Sequence, residues 1–401
     1  MLVAVAFFLQ AIDYSAEGTK ALEAQKYEQA AELFAKAAAA DPKDYTAHFN
    51  LAFALGMLKR DAEGVAEYKK VLELKPALYE AELNLGILLL RDKQAAEAAP
   101  HLESASTQKP KEFRPRLYWA DALLAMGDAA KAEQQYRAAL EINAKSAAAE
   151  LGLAQAEARQ DRLADAVPHY RAAAQLDPGY KDSLLELAEL YEKKHQDAEA
   201  IAIYQEFPGN PAAQERLGEL LLAGNHSKDA IPALEAAVQK DPTTANRTAL
   251  ATAYVFEKQL DKALPLLTQA VAAEPANFSL RMEYARALRD SRKFEPAAQQ
   301  FYAATKLKPD AREAWNDLAG VMYMAEKYPE TIAALDHAHQ LGDDTAGNYF
   351  LHAITLDKLH VLKPALDNYR EFLARSKGEH PDQEFQARQR ARILEMELRK
   401  R

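Results

Sequence analysis

The chain has 401 residues, of which 49% are hydrophobic and 27% are charged, so it can bury a large core. Sixty acidic residues against fifty basic ones give a net charge of -10, the wrong sign for a surface that binds nucleic acid through its phosphates. Because the sequence has no cysteine, disulfides, thiolate metal sites and a cysteine nucleophile are excluded.

The chain begins with an apolar segment, residues 1–10. Its longest apolar run, LVAVAFFL, is far shorter than the roughly 20 residues that a membrane-spanning helix needs, so we expect no transmembrane segment. Two interpretations are open: the remnant of a secretory signal cleaved after Ala11, or a helix that caps the first repeat. The first predicts a periplasmic or secreted protein and the second a cytoplasmic one.

A repeat of about 34 residues follows this segment. The prolines that mark it recur near multiples of that length, at Pro42, Pro76, Pro110, Pro178, Pro242, Pro275 and Pro309. When each repeat is numbered so that this proline is position 32, the chain contains eleven repeats. They begin at residues 11, 45, 79, 113, 147, 181, 211, 244, 278, 312 and 346.

Small and large residues alternate at fixed positions of every repeat. Position 8 is always Gly or Ala, position 20 is Ala or Gly except for Thr331, and position 24 is always Phe, Tyr or Leu. This pattern predicts two antiparallel helices per repeat, over positions 2–14 and 17–29, because small residues let two helix axes approach and bulky ones fill the remaining space. The proline at position 32 ends the second helix.

Over residues 11 to about 379 this pattern resembles the tetratricopeptide repeat (TPR) family. The resemblance implies an all-α fold, a right-handed superhelical solenoid of antiparallel helix pairs. The sequence from Phe207 to Pro211 shortens repeat 6, so we expect residues 11–210 to hold repeats 1–6 and residues 211–379 to hold repeats 7–11. Residues 380–401 place Ala387, Ala391 and Leu394 at helical spacing, which predicts a C-terminal capping helix.

Catalytic motifs are missing from the sequence. It contains no phosphate-binding GxxxxGK[ST] loop, no GxSxG nucleophile elbow and no HExxH pair, and its ten histidines are scattered. We therefore expect a protein that is not an enzyme and that holds no cofactor and no metal.

The resemblance implies that function belongs to the concave surface, which the first helix of each repeat lines with positions 2, 5, 6, 9, 12 and 13. In repeats 2–5 these positions carry an apolar stripe together with two asparagines, whose carboxamides suit the backbone of an extended peptide. The alternative is that the stripe packs against neighbouring helices. The predicted partner-binding residues are Phe49, Asn50, Phe53, Leu83, Asn84, Ile87, Leu117 and Leu151.

Further along the chain the same positions change character. Repeat 6 carries Asp182, Glu186 and Glu189, which predicts a negative section that attracts a basic segment or only keeps the surface soluble. Repeats 9–11 supply a second candidate patch of adaptable, aromatic and cationic side chains. Its residues are Met282, Arg286, Arg289, Tyr323 and Phe350.

These features favour a non-catalytic scaffold that binds an extended or helical segment of another protein in its groove. Its partners are other proteins or peptide segments and not nucleic acid. The alternative is a structural or self-associating subunit of an envelope, secretion or other multiprotein assembly, in which the apolar stripe is buried against further subunits.

Overall fold

The computed structural model describes residues 13–400, so the apolar segment of residues 1–10 lies outside the described residues. The chain divides into two compact bodies. The N-terminal body extends to Ala200 and the C-terminal body begins at Ile201. All regular elements within residues 13–400 are helices.

The N-terminal body is built from helix pairs. Its first helices are α1 (Tyr14–Glu23), α3 (Tyr45–Met57), α5 (Tyr79–Arg91), α7 (Phe113–Ala125), α9 (Ala147–Arg159) and α11 (Ser183–Lys193). Its second helices are α2 (Tyr27–Ala40), α4 (Asp61–Leu74), α6 (Ala95–Gln108), α8 (Ala129–Ile142) and α10 (Leu163–Leu176). A short 3-10 helix, Pro178–Tyr180, follows α10, and the division between the bodies falls within α12 (Asp197–Tyr204).

The C-terminal body repeats the same arrangement. Its first helices are α13 (Pro211–Ala223), α15 (Thr244–Phe256), α17 (Phe278–Asp290), α19 (Arg312–Met324) and α21 (Ala346–Lys358). Its second helices are α14 (Ser227–Lys240), α16 (Leu260–Ala273), α18 (Phe294–Leu307), α20 (Tyr328–Gln340) and α22 (Leu362–Ser376), and α23 (Pro381–Lys400) ends the chain. Helix starts fall within two residues of the predicted ones, so the helix-pair solenoid is confirmed.

Capping side chains define where several first helices begin. Asp44 Oδ1 accepts the backbone N–H of Thr46 at 2.9 Å, and Ser146 Oγ accepts that of Ala149 at 3.2 Å. Such bonds satisfy N–H groups that have no partner inside the helix. Each of these caps lies at the residue before its helix and so fixes where that helix begins.

The small residue at position 8 lets the two helices of a repeat touch. A Cβ added to Gly86 would lie 2.4 Å from the Leu102 side chain, and one added to Gly18 would lie 2.9 Å from Phe34. Leu102 and Phe34 hold position 24 and are fully buried. The predicted packing of small residues against large ones is therefore confirmed.

One turn geometry joins the helices of every repeat. The residue at position 15 has a positive φ in all eleven repeats, from 56° at His195 to 86° at Gly127. The backbone N–H of position 16 donates to the carbonyl of position 11, as from Arg60 to Leu55 at 3.0 Å. This is the Schellman motif, which satisfies carbonyls at a helix end and turns the chain back.

Helix α23 covers the end of the C-terminal body. Ala387, Ala391 and Leu394 are buried in one cluster with residues of α21 and α22. Arg390 donates from Nε and Nη2 to the carboxylate of Asp357 on α21, at 2.6 and 2.8 Å. The helix thus shields the core that α21 and α22 would otherwise expose.

Candidate functional site

The first helices of repeats 2–5 lie side by side and form one continuous face of the N-terminal body, here called the first-helix face. An arginine at position 13 joins two neighbouring pairs. Arg91 Nη2 donates to the carbonyl of Gly56 at 2.7 Å, and Arg159 Nη1 donates to that of Leu124. Since both carbonyls end the preceding first helix, each arginine also complements the negative end of a helix dipole.

Apolar side chains run along this face. Phe53 is 39% exposed and Met57 is 47% exposed, both on α3. The remaining predicted residues at positions 5 and 9 are partly buried: Phe49, Ile87, Leu117 and Leu151. The largest apolar exposure therefore lies at the α3 end.

Leu83 and Phe49, two of the predicted partner-binding residues, pack against neighbouring side chains. Leu83 is only 6% exposed, because it packs inside the core cluster of repeats 2 and 3, so its prediction as a contact residue is wrong. The ring of Phe49 lies edge-on to Tyr68 with centroids 5.4 Å apart. Phe49 therefore packs against Tyr68 and also exposes part of its ring on the first-helix face.

The two asparagines differ in their surroundings. Asn84 Nδ2 donates to the Tyr68 hydroxyl at 3.1 Å, which holds its carboxamide in place and leaves Oδ1 as the acceptor. Asn50 makes no side-chain hydrogen bond within residues 13–400, so both its donor and its acceptor are available. A peptide backbone offers the complementary N–H and carbonyl groups.

Asp121 belongs to the same face and was not among the predicted site residues. It holds position 9 of α7, and its Oδ1 accepts the Tyr136 hydroxyl at 2.6 Å. Burial raises the pKa of the Asp121 carboxyl to about 6. The signal that could have found it is a carboxylate at position 9 with a tyrosine at position 24 of the same repeat.

Helix α11 of repeat 6 follows α9 at one end of the face, and this α11 end is acidic, as expected. Asp182, Glu186 and Glu189 are exposed, and Glu186 Oε2 accepts from Gln155 Nε2 of α9 at 3.3 Å. An open pocket of about 250 Å³ lies here, and Arg159 and Lys193 also line it. The two cations offset only part of the negative charge of the three acidic residues at this end.

The second candidate patch is largely engaged within the C-terminal body. Met282 is only 2% exposed, so its prediction as an accessible anchor is wrong: α17 turns it into the core. Arg286 and Arg289 both donate to Asp317, at 2.8 and 3.1 Å, across the contact between α17 and α19. Arg289 also donates to Asp290 at 2.9 Å, so both arginines are paired with carboxylates of the same body.

The aromatic members of that patch pack against neighbouring rings. The ring centroids of Phe350 and Phe372 are 4.9 Å apart, and those of Tyr323 and Tyr328 are 5.7 Å apart. Phe350 and Tyr323 remain partly exposed where they line an open pocket of about 510 Å³ that Arg390 also borders. Phe350 and Tyr323 thus line one pocket, whereas Met282 does not line it.

No cluster of three or more potential metal ligands occurs within residues 13–400. In the same part of the chain, no helix is long and apolar enough to cross a membrane.

Sequence comparison identifies the class of protein. Models of the tetratricopeptide repeat match residues 15–78, 117–181, 248–304 and 285–344, and a second model of this repeat matches residues 157–206. These matches cover more than half of the chain, so the protein belongs to the TPR family. TPR proteins are in general non-catalytic scaffolds that bind other proteins or peptides.

Similar solved structures are TPR proteins as well. MamA of strain MSR-1 is 20% identical over 41% of this chain and 95% of its own, with a TM-score of 0.39. A structure described as YrrB, a TPR protein with an unusual peptide-binding site, is 20% identical over 42% of this chain and 87% of its own, with a TM-score of 0.40. MamA from Desulfovibrio magneticus RS-1 is 22% identical over 41% and 94%, with a TM-score of 0.40. Comparison with curated proteins gives no significant match.

Proposed function

We propose that the protein is a non-catalytic scaffold that binds an extended segment of a partner protein on the first-helix face. The observation that carries this proposal is the exposure of Phe53 and Met57 beside Asn50, whose carboxamide is unused. Soluble proteins seldom leave large apolar side chains grouped on one face without a function. A partner would cover them.

Each part of the face has a defined task in this proposal. Apolar partner side chains pack on Phe53 and Met57, which stabilises the complex by about 1 kcal/mol for each side chain covered. The Asn50 carboxamide and Asn84 Oδ1 bind backbone groups of the partner, so that affinity depends little on the partner's sequence there. The acidic α11 end favours a partner that carries basic residues towards that end.

The test uses peptides selected from a random display library on the wild-type protein, with affinities measured by fluorescence polarisation. We expect Phe53→Ser with Met57→Ser to weaken the selected peptides about tenfold or more, because apolar contacts of 1–2 kcal/mol are lost. Phe385→Ser with Met396→Ser is the matched control, since it removes the same two residue types, both exposed, from α23. If both double variants bind the peptides like wild type, the first-helix face is not the site.

Self-association is the second candidate function, and the outer face of α23 favours it. Phe385, Ile393 and Met396 are 63%, 39% and 56% exposed on this helix. Light scattering over a range of concentrations tests the idea. We expect a mass above 44.5 kDa that falls on dilution. The same Phe385→Ser, Met396→Ser variant should then remain monomeric, whereas a monomeric wild-type protein at all concentrations would refute self-association.

A further inference from the structure

A second pocket lies in the C-terminal body, on the side of α15 that faces α17. It has a volume of about 500 Å³. Small side chains of α15 open it: besides Ala245, the pocket is lined by Thr248, Ala249 and Thr252, which hold positions 5, 6 and 9, where most other first helices carry bulkier residues. Leu222 and Leu280 close its two sides.

The wall of this pocket is mainly apolar although it contains threonines. The Thr248 hydroxyl donates to the carbonyl of Thr244 at 2.8 Å, and the Thr252 hydroxyl lies 2.9 Å from the carbonyl of Thr248. Hydroxyls bound back to the preceding helical turn are satisfied within the helix. They do not require a polar ligand, so methyl and methylene groups set the character of the wall.

One carboxylate interrupts this apolar wall. Glu283 is partly buried at position 6 of α17, and its Oε1 lies 2.5 Å from the Thr252 hydroxyl. Glu283 has no cationic partner within residues 13–400, and burial raises the pKa of its carboxyl. Buried carboxylates are normally paired, because the loss of water around the charge is costly.

The cations nearest to Glu283 along α17 are used elsewhere. Arg281 donates to Gln300 and to the carbonyl of Pro275, both at 2.6 Å. Arg286 binds Asp317 on α19 at 2.8 Å. The only other charged residue lining the pocket is Glu274, which is exposed at its edge. The charge of the pocket is thus negative and uncompensated.

We infer that this pocket binds an arginine side chain of a partner segment, with the aliphatic stem against Ala245, Ala249 and Leu280 and the guanidinium at Glu283. The stem matches the apolar wall and the head pairs with the buried carboxylate. Arginine suits the site better than lysine, because a guanidinium is less strongly hydrated and keeps several donors in one plane. The pocket belongs to the C-terminal body and the first-helix face to the N-terminal body, so this inference does not depend on the function proposed for that face.

The probe is a fluorescein-labelled heptapeptide of alanine and leucine with one central arginine, compared with the same peptide carrying citrulline, which keeps the shape and lacks the charge. We expect wild type to bind the arginine peptide about tenfold more tightly than the citrulline peptide. Glu283→Gln should remove that preference. Glu274→Gln, which makes the same change of charge at an exposed position, should keep it.

A second variant tests the cavity itself. Ala249→Met fills the pocket without changing charge, and we expect it to weaken the arginine peptide about tenfold while circular dichroism shows an unchanged helix content. The inference is overturned if wild type binds the two peptides equally, which includes binding neither. It is also overturned if the preference for arginine survives in Glu283→Gln or if Ala249→Met binds the arginine peptide as wild type does.

Discussion

Asp121 makes stability depend on pH. Its carboxyl has a pKa of about 6 in the folded protein because of burial, above its ordinary value of 3.8. The folded state therefore holds this proton more tightly than the unfolded state. The corresponding stability is fully present below pH 4 and is lost as the pH rises through 6.

We predict that Asp121→Asn removes this contribution, because an amide can still accept the Tyr136 hydroxyl but does not ionise. The variant should lose a slope of about 1 kcal/mol per pH unit between pH 4 and 6 and should be more stable than wild type at pH 7. Urea unfolding at pH 4, 5, 6 and 7 measures both. Asp182→Asn, at an exposed carboxylate, is the control, and parallel profiles for Asp121→Asn and wild type would contradict the prediction.

Single residues also show why the binding surface was harder to predict than the fold. Phe49, Leu83 and Met282 all hold position 5, but Phe49 is partly exposed whereas Leu83 and Met282 are buried. The period of the repeat determines which way a position points. Its burial depends on the bulk of the residues in the adjacent repeats, which no single repeat contains. The hydrogen bond between Asn84 and Tyr68 could not be predicted for the same reason, because the two residues belong to adjacent repeats.

The turn inside each repeat is an element-level feature that was not predicted. Position 15 is left-handed in all eleven repeats, but it is glycine only at Gly127. The sequence signal usually used for this geometry, glycine after a helix, was therefore missing from ten turns. Prolines and small residues revealed the period, whereas the turn follows from backbone hydrogen bonds that any residue can make.

We predict that introducing a glycine at one turn stabilises the protein and that removing the glycine from an equivalent turn destabilises it. Lys93 has a φ of 60° in the turn after α5, and Gly127 has a φ of 86° in the turn after α7. Lys93→Gly should stabilise the protein by up to about 1 kcal/mol, because only a residue without Cβ adopts this conformation freely. Gly127→Ala should destabilise it by about 1 kcal/mol. Urea midpoints of the two variants measure the effects, and changes of the same sign would contradict this account.

In several repeats the side chains at positions 4 and 23 form a hydrogen-bonded pair, and the order of the two residue types differs between repeats. His48 Nδ1 lies 2.5 Å from Glu67 in repeat 2, whereas in repeat 3 Glu82 at position 4 lies 2.5 Å from His101. Repeat 5 repeats the second order with Glu150 and His169. The same place holds Arg116 with Gln135 and Arg281 with Gln300. Positions 4 and 23 thus accept a histidine and a glutamate in either order.

We predict that exchanging one pair is tolerated and that breaking it is not. Glu82→His alone should cost about 1–2 kcal/mol, because it leaves two imidazoles facing each other. Adding His101→Glu should restore most of that loss, since the double variant recreates the order found in repeat 2. Chemical unfolding of both single variants and the double variant gives the coupling between the two positions. Additive losses in the double variant would show that the pair is not coupled.

At the scale of the whole molecule, stability in a solenoid depends on nearest neighbours. Each helix contacts mainly the helices before and after it, as α22 contacts α21 and α23. Such arrays lose structure from an exposed end inwards. Helix α23 protects the end of the C-terminal body through Leu394, which is fully buried, and through Glu384, which accepts the Ser376 hydroxyl at 2.7 Å.

We predict that deletion of residues 381–401 loosens repeat 11 and leaves distant repeats intact. Amide hydrogen exchange should accelerate over residues 346–376, because the deletion exposes the apolar cluster around Phe372 and leaves Asp357 without Arg390. Exchange over residues 13–200 should not change. The variant Phe385→Ser with Met396→Ser alters only exposed residues of α23 and should leave both regions protected. Faster exchange throughout residues 13–380 after the deletion would mean that the chain unfolds as one cooperative unit, because only global coupling carries the loss of one terminal helix to repeats that it does not contact.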